Sequence, residues 1–160
     1  MSSIIVRSAV PADAAQIHRF IVELAQYEKA EHLVESTARD IERSLFGTDS
    51  TAHAIIGEKD GQAAGMGVYF FNYSTWLGKN GLYLEDLYVS PDHRGFGIGK
   101  KIMASLAAIA LEKDCERMEW NVLDWNQPAI DVYDALGALP QNEWIGYRLT
   151  GDALQRLAAS

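Results

Sequence analysis

Apolar residues recur along the chain at two periods, and the switching between them predicts the order of elements. Ile4, Ile5 and Val6 make a short apolar run, read as a first strand. Over residues 11–28, Ala14, Ile17, Phe20, Ile21 and Leu24 fall three and four apart, the spacing of one helix face, and Pro11 suits the first turn. A second helix is expected from Ser36, as N-cap, through Ile41 and Leu45 to Gly47. Residues 51–57 and 63–73 read as strands joined at Asp60-Gly61, a dipeptide suited to a two-residue hairpin because both positions need positive φ.

Residues 82–89 read as a central strand, with Tyr83, Glu85, Leu87 and Val89 on one side and Leu82, Leu84, Asp86 and Tyr88 on the other. Ile98, Ile102, Leu106, Ile109 and Ala110 then mark a helix running to about Lys113. A strand over 118–123, a helix over 128–136 ended by Gly137, a last strand over 144–149 and a short C-terminal helix complete the chain. Helices crossing between the last three strands imply an α/β fold: a mixed central β-sheet, helices on both faces and one parallel pair at its centre. No repeat or linker interrupts residues 1–160, so a single domain is expected.

Composition narrows the possible functions. At 160 residues and 48% hydrophobic, the chain can bury a core without disulfides, and it carries one cysteine, Cys115. No apolar run approaches the roughly 18 residues of a membrane span, and residues 1–10 lack the apolar stretch of a signal peptide; no membrane partner and a cytoplasmic location are expected. The four histidines, His18, His32, His53 and His93, show no metal-ligand spacing, so no metal is expected. With 14 basic against 22 acidic residues the net charge is -8. That balance argues against nucleic acid and suits a cationic ligand, although it also serves solubility.

Candidate chemistry begins where the central strand runs through Pro91 into Arg94-Gly95-Phe96-Gly97-Ile98-Gly99-Lys100, a glycine-rich turn opening a helix. Backbone N–H groups at a helix start lack partners within the helix, and the dipole adds positive potential, so a phosphate can collect several donors there. A dinucleotide fingerprint would need glycine where Lys100 stands. A Walker A loop would need glycine at Arg94 and Ser or Thr at Lys101.

The Arg-x-x-Gly-x-Gly spacing of Arg94, Gly97 and Gly99 resembles the acyl-coenzyme A loop of the GNAT acetyltransferase superfamily. Four further segments are similar to the spermidine/spermine (diamine) acetyltransferases within it. They are Leu24-Ala25-Gln26-Tyr27-Glu28, Trp76-Leu77-Gly78-Lys79, Tyr83-Leu84-Glu85-Asp86, and Trp125-Asn126-Gln127-Pro128 followed by Tyr133 and Gly137-Ala138. The resemblance implies a GNAT fold in which the parallel strands at 82–89 and 118–123 splay apart around the pantetheine arm. It implies acetyl-CoA as co-substrate and a small cationic amine, a polyamine or diamine such as spermidine or spermine, as acceptor attacking directly in a ternary complex. It also implies a homodimer, with residues after about 144 near the partner.

Residue by residue, the resemblance implies a coenzyme site formed by Leu87, Tyr88 and Val89, the loop residues Arg94, Gly95, Phe96, Gly97, Ile98, Gly99 and Lys100, and Asn126 and Tyr133. It implies an amine site of Tyr27, Glu28, Trp76, Glu85, Asp86, Glu119, Trp120 and Asn121. Glu85 is then the group that relays the amine's proton, and Tyr133 the acid that protonates the departing thiolate. An alkylammonium near pKa 10.4 is neutral in only about one molecule in 2,500 at pH 7, a cost of roughly 4.6 kcal/mol, so a proton acceptor is required. Read from the residues alone, a structural carboxylate satisfied by backbone donors is the lesser reading of Glu85, whereas for Tyr133 a helix residue anchoring its hydroxyl at the sheet edge is the favoured one. Two alternatives stay open: a lysine-like amino acid or thialysine as acceptor, and a non-catalytic module that senses acyl-CoA.

Overall fold

The computed structural model describes residues 2–160, and the chain divides into one unit reaching to Asn121 and a second from Val122 to Ser160. The first unit runs β1 (Ile4–Ser8), a 3-10 turn, α1 (Ala14–Tyr27), α2 (Ala38–Phe46), β2 (Ala52–Lys59), β3 (Gln62–Ser74), β4 (Lys79–Val89), α3 (Ile98–Glu112) and β5 (Met118–Trp120). The strands form one mixed sheet in the order β1-β2-β3-β4-β5, antiparallel except for the parallel β4–β5 pair. The parallel pair therefore lies at the sheet edge, not at its centre as the periodicity had suggested.

Successive residues of β2 serve opposite faces of the sheet. Ala54 and Ile56 join Met66, Tyr88 and the α1 residues Ile17 and Phe20 in a buried cluster, with Ile41 and Leu45 of α2 packed against it. On the other face, a Cβ placed at Gly57 or Gly67 would meet Ile98, Ile102 and Leu106 of α3 at 2.9–3.3 Å. Gly57 and Gly67 thus form a seam on which α3 sits close to the sheet, while Gly65, which pairs with Gly57, abuts the β4 backbone at Tyr88 and Val89. Periodicity does not signal this seam, because a glycine scores as neither apolar nor polar.

Local chemistry explains the element ends. Thr37, not Ser36, caps α2: its hydroxyl accepts the Asp40 N–H at 3.2 Å while the Asp40 carboxylate accepts the Thr37 N–H at 2.9 Å. The β2–β3 hairpin turns through Asp60 (φ 52°) and Gly61 (φ 80°), as expected of that dipeptide. Arg7 of β1 reaches Glu58 at 2.7 Å and Asp13 at 2.7 and 2.9 Å, tying β1 to β2 and to the turn before α1. These hydrogen bonds hold the Arg7 guanidinium charged and lower the Asp13 carboxyl.

The second unit contains α4 (Gln127–Ala135), ended by Gly137 at φ 87°, and α5 (Gly151–Ala158). The strand expected over 144–149 does not form. Trp144, Ile145 and Tyr147 are exposed, Tyr147 at 96%, and among the described residues no strand lies alongside them. A period of two marks a segment able to pleat, but a ladder needs a neighbour to accept its hydrogen bonds. The strand at 118–123 is likewise shorter than expected, ending at Trp120.

Candidate active site

A register shift in β4 sets the site's geometry. Val68 of β3 pairs with Asp86, yet the next residue, Tyr69, pairs with Leu84, so Glu85 is an extra residue with no partner of its own. Gly67 pairs with Leu87 and faces α3, and Tyr69 lies two residues along the unshifted strand; Leu84 and Leu87 therefore share the α3 face. Asp86 shares the opposite face with Tyr88, which packs on Phe20 at 5.6 Å, and with Tyr83, which packs on Phe70 at 5.1 Å. The strict alternation expected over 82–89 is thus corrected: Asp86 shares its face with Tyr83 and Tyr88, not with Leu82 and Leu84, and Glu85 is the inserted residue. It leaves no trace in a segment that is apolar at nearly every other position.

Around the bulge three carboxylates converge. Glu28 follows the last residue of α1, where the helix is closed by Lys29 in a left-handed conformation (φ 59°). Its carboxyl is raised by burial. Asp86 is half-buried, and burial, then the charges of Glu85 and Glu28, push its carboxyl up to about 6. Tyr83 is raised by burial and by Glu85 and Glu119. Such a cluster disfavours its own full ionisation and favours an incoming cation. Tyr83, absent from the expected site residues, was quoted in the Tyr83-Leu84-Glu85-Asp86 segment, and its contribution required the register to be seen.

At the far end of β4, Pro91 starts a 3-10 turn that leads into the glycine loop. Gly95 (φ 86°) and Gly97 (φ 82°) are left-handed, and nothing stands within 4 Å of where their side chains would project. No side chain caps α3, so the N–H groups of its first turn are left for a ligand. Arg94 donates through Nε to the Val89 carbonyl at 3.0 Å, with its guanidinium over the rings of Tyr88 (5.7 Å) and Tyr27 (5.9 Å). Lys59 of β2 lies over the Phe96 ring at 4.4 Å, a cation beside the loop that no spacing pattern could reveal. Gly99 has ordinary φ, and a Cβ added there would meet Val89 Cγ2 at 3.6 Å, an ordinary packing contact.

β5 pairs with β4 only across Leu82, Tyr83 and Leu84, so within the sheet the outer edge of β4 is unpaired from Glu85 through Leu87, Tyr88 and Val89. Of the remaining expected residues in this unit, Glu119 accepts from Asn72 at 3.2 Å and pairs with Arg117 at 3.3 Å. Trp120 ends β5 and Asn121 follows it, exposed. Trp76 stands 86% exposed on the β3–β4 hairpin, at the end of β4 remote from the glycine loop. Asn126 and Tyr133 belong to the second unit, Asn126 at the start of α4 and Tyr133 half-buried within it.

A half-open strand edge leading to an uncapped, glycine-cradled helix start is built to hold an extended ligand with a phosphate end. A profile of the Acetyltransferase (GNAT) family matches residues 17–138. The chain belongs to the GNAT acetyltransferase family and is an acetyl-CoA-dependent N-acetyltransferase. It is 40% identical to a thialysine N-epsilon-acetyltransferase of Sus scrofa, with 99% of each chain covered. It is 36% identical to spermidine/spermine N(1)-acetyltransferase-like protein 1 of Homo sapiens, over 90% of this chain and 22% of that one. Its fold is similar to that of an integron cassette protein from V. cholerae, at a TM-score of 0.81 and 25% identity, with 99% of each chain covered.

Proposed function

We propose that the enzyme transfers the acetyl group of acetyl-CoA to a primary amine of a small cationic molecule, a polyamine or diamine, by direct attack in a ternary complex. The observation that carries this reading is the β4 bulge, which sets Glu85 and Asp86 near Glu28 beside the strand edge that β5 leaves open. In this reading residues 1–160 form one catalytic domain. The backbone at Leu87, Tyr88 and Val89 holds the pantetheine amides, and the loop from Arg94 to Lys100 receives the diphosphate, with Asn126 as a further coenzyme contact. One of the adjacent carboxylates takes the ammonium's proton, and Tyr133 returns a proton to the leaving thiolate. Tyr27, Trp76, Glu119, Trp120 and Asn121 complete the amine side. The enzyme acts as a cytoplasmic homodimer, with the exposed apolar residues of 144–149 near the partner.

A lysine-like acceptor is the second reading, favoured by the thialysine-acetylating relative that matches along the whole chain. A panel of spermidine, spermine, short diamines, lysine and thialysine assayed with acetyl-CoA separates the two. Higher kcat/KM for polyamines and diamines is expected; preference for lysine or thialysine, whose α-carboxylate would need a cationic partner of its own, establishes the second reading instead.

Arg94 tests the coenzyme side. Its Nε donates to the Val89 carbonyl and its guanidinium stands over the Tyr88 and Tyr27 rings, which holds the charge beside the glycine loop. Arg94→Gln should raise the KM for acetyl-CoA by about 10- to 100-fold, the worth of a charge-assisted hydrogen bond, and leave kcat nearly unchanged. Steady-state kinetics at saturating amine read both values.

A further inference from the structure

We infer that Lys59, at the turn between β2 and β3, is a further coenzyme-anchoring residue that holds the 3′-phosphate of the adenosine ribose, so that the enzyme tells acetyl-CoA from its 3′-dephospho form. This rests on the proposed placing of the diphosphate at the glycine loop and deepens it. The sheet carries Lys59 to that loop. It is the last residue of β2 and lies two positions beyond Gly57, whose face α3 covers, so it shares that face at the end where α3 begins. Its ammonium stands 4.4 Å from the centre of the Phe96 ring, and Phe96 lies between the two left-handed glycines of the loop. Only 18% of the Lys59 side chain is exposed, so its stem is packed and little rotamer freedom remains to be lost on binding.

Different elements charge the two sides of the loop. Arg94, bonded to the Val89 carbonyl, stands on the β4 side. Lys59 stands on the β2 side, and in the sheet order β3 separates the two strands. Lys101 of α3 brings a second cation to the Lys59 corner: its Nζ donates to the carbonyl of Ile4, the β1 residue that pairs with Lys59. A diphosphate gathered on the first-turn N–H groups and Arg94 leaves the Lys59 side for a phosphate set apart from it by a sugar, which is how the third phosphate of coenzyme A is attached.

The charge balance agrees. The chain carries net charge -8, so an anionic coenzyme needs local cations to offset the repulsion of the whole. The helix α4, to which Tyr133 belongs, supplies none: it contains Asp131 and Asp134 and no Lys or Arg. Asp60 is the carboxylate that faces Lys59, at 3.3 Å, and it also accepts the Ser3 N–H at 2.7 Å. Asp60 is 52% exposed, and such an ion pair is worth little. A phosphomonoester carries close to two negative charges at about pH 7 and outcompetes it for the ammonium.

Acetyl-CoA and acetyl-dephospho-CoA, which differ only in that phosphate, test the assignment with one and the same amine. Wild-type kcat/KM should be about 10-fold higher for acetyl-CoA, the worth of a charge-assisted hydrogen bond at a partly exposed site. Lys59→Gln, which keeps most of the stem and removes the charge, should abolish the difference, and Lys59→Arg should restore it. Asp60→Asn, whose side chain tolerates the left-handed turn, should widen the difference by about 2- to 3-fold because the competing carboxylate has gone. Lys113→Gln, an equal loss of charge at the far end of α3, should leave the wild-type ratio in place. Calorimetric titration with CoA and with dephospho-CoA, which requires no turnover, should give Kd values in the same order. Equal wild-type values for the two coenzymes, a difference that survives Lys59→Gln, or a Lys113→Gln effect as large as that of Lys59→Gln would overturn the proposal while acetyl transfer stands. Should Lys59→Gln fail to fold, Asp60→Asn decides, an unchanged or narrower difference overturning the proposal. Kd values in the expected order without turnover of any amine would uphold Lys59 and overturn the acetyl-transfer reading instead.

Discussion

Gly65→Ala is expected to destabilise the protein by about 3 kcal/mol, at the upper end of the cost of overpacking a well-filled interior. The added Cβ would lie 2.5 Å from the Tyr88 carbonyl oxygen and 3.2 Å from the Val89 Cα, both backbone atoms of the neighbouring strand. A side-chain neighbour could rotate away, but these atoms belong to the β3–β4 ladder and move only if the ladder opens. For a chain of this size the loss corresponds to a fall in Tm of about 6–12 °C, read by circular dichroism. Gly146→Ala supplies the contrast: nothing lies within 4 Å of its Cβ position, and its Tm should stay within about 2 °C of the wild type. Equal melting of the two variants would show that the β3–β4 ladder has slack at this position.

The second large effect is on turnover. Tyr133→Phe should lower kcat by about 100- to 10,000-fold and leave both KM values within a few-fold, the signature of a group acting only as the thiolate departs. A phenol near 10 and a thiol near 8.5 are close enough for the transfer to proceed without strong retuning of either. Phenylalanine keeps the ring and removes only the hydroxyl, so packing of α4 is retained. Unchanged kcat with the best amine would assign protonation of the thiolate to water and Tyr133 to structure.

Much of this was legible in the chain itself. The Asp60-Gly61 turn, the amphipathic faces of α1 and α3 and the glycine loop each depend on residues within a few positions of one another, and their chemistry is local. What escaped notice depends on partners distant in sequence. The bulge at Glu85 exists only as a mismatch between two strands, and the seam of Gly57 and Gly67 only as the floor beneath a helix 30 or more residues further along. The absent strand at 144–149 is the reverse case, where a correct pleating pattern lacks an adjacent ladder. For the candidate site, residue types and motifs named the carboxylates, but which of Glu85 and Asp86 is confined could be decided only from the register.

The three-residue β5 has a dynamic consequence. It is the shortest ladder in the sheet and lies on its rim, so its amides should exchange with solvent through local fraying rather than through unfolding of the whole chain. A coenzyme lodged against β4 at that rim would suppress the fraying, making substrate occupancy and cohesion of the parallel pair two readings of one equilibrium.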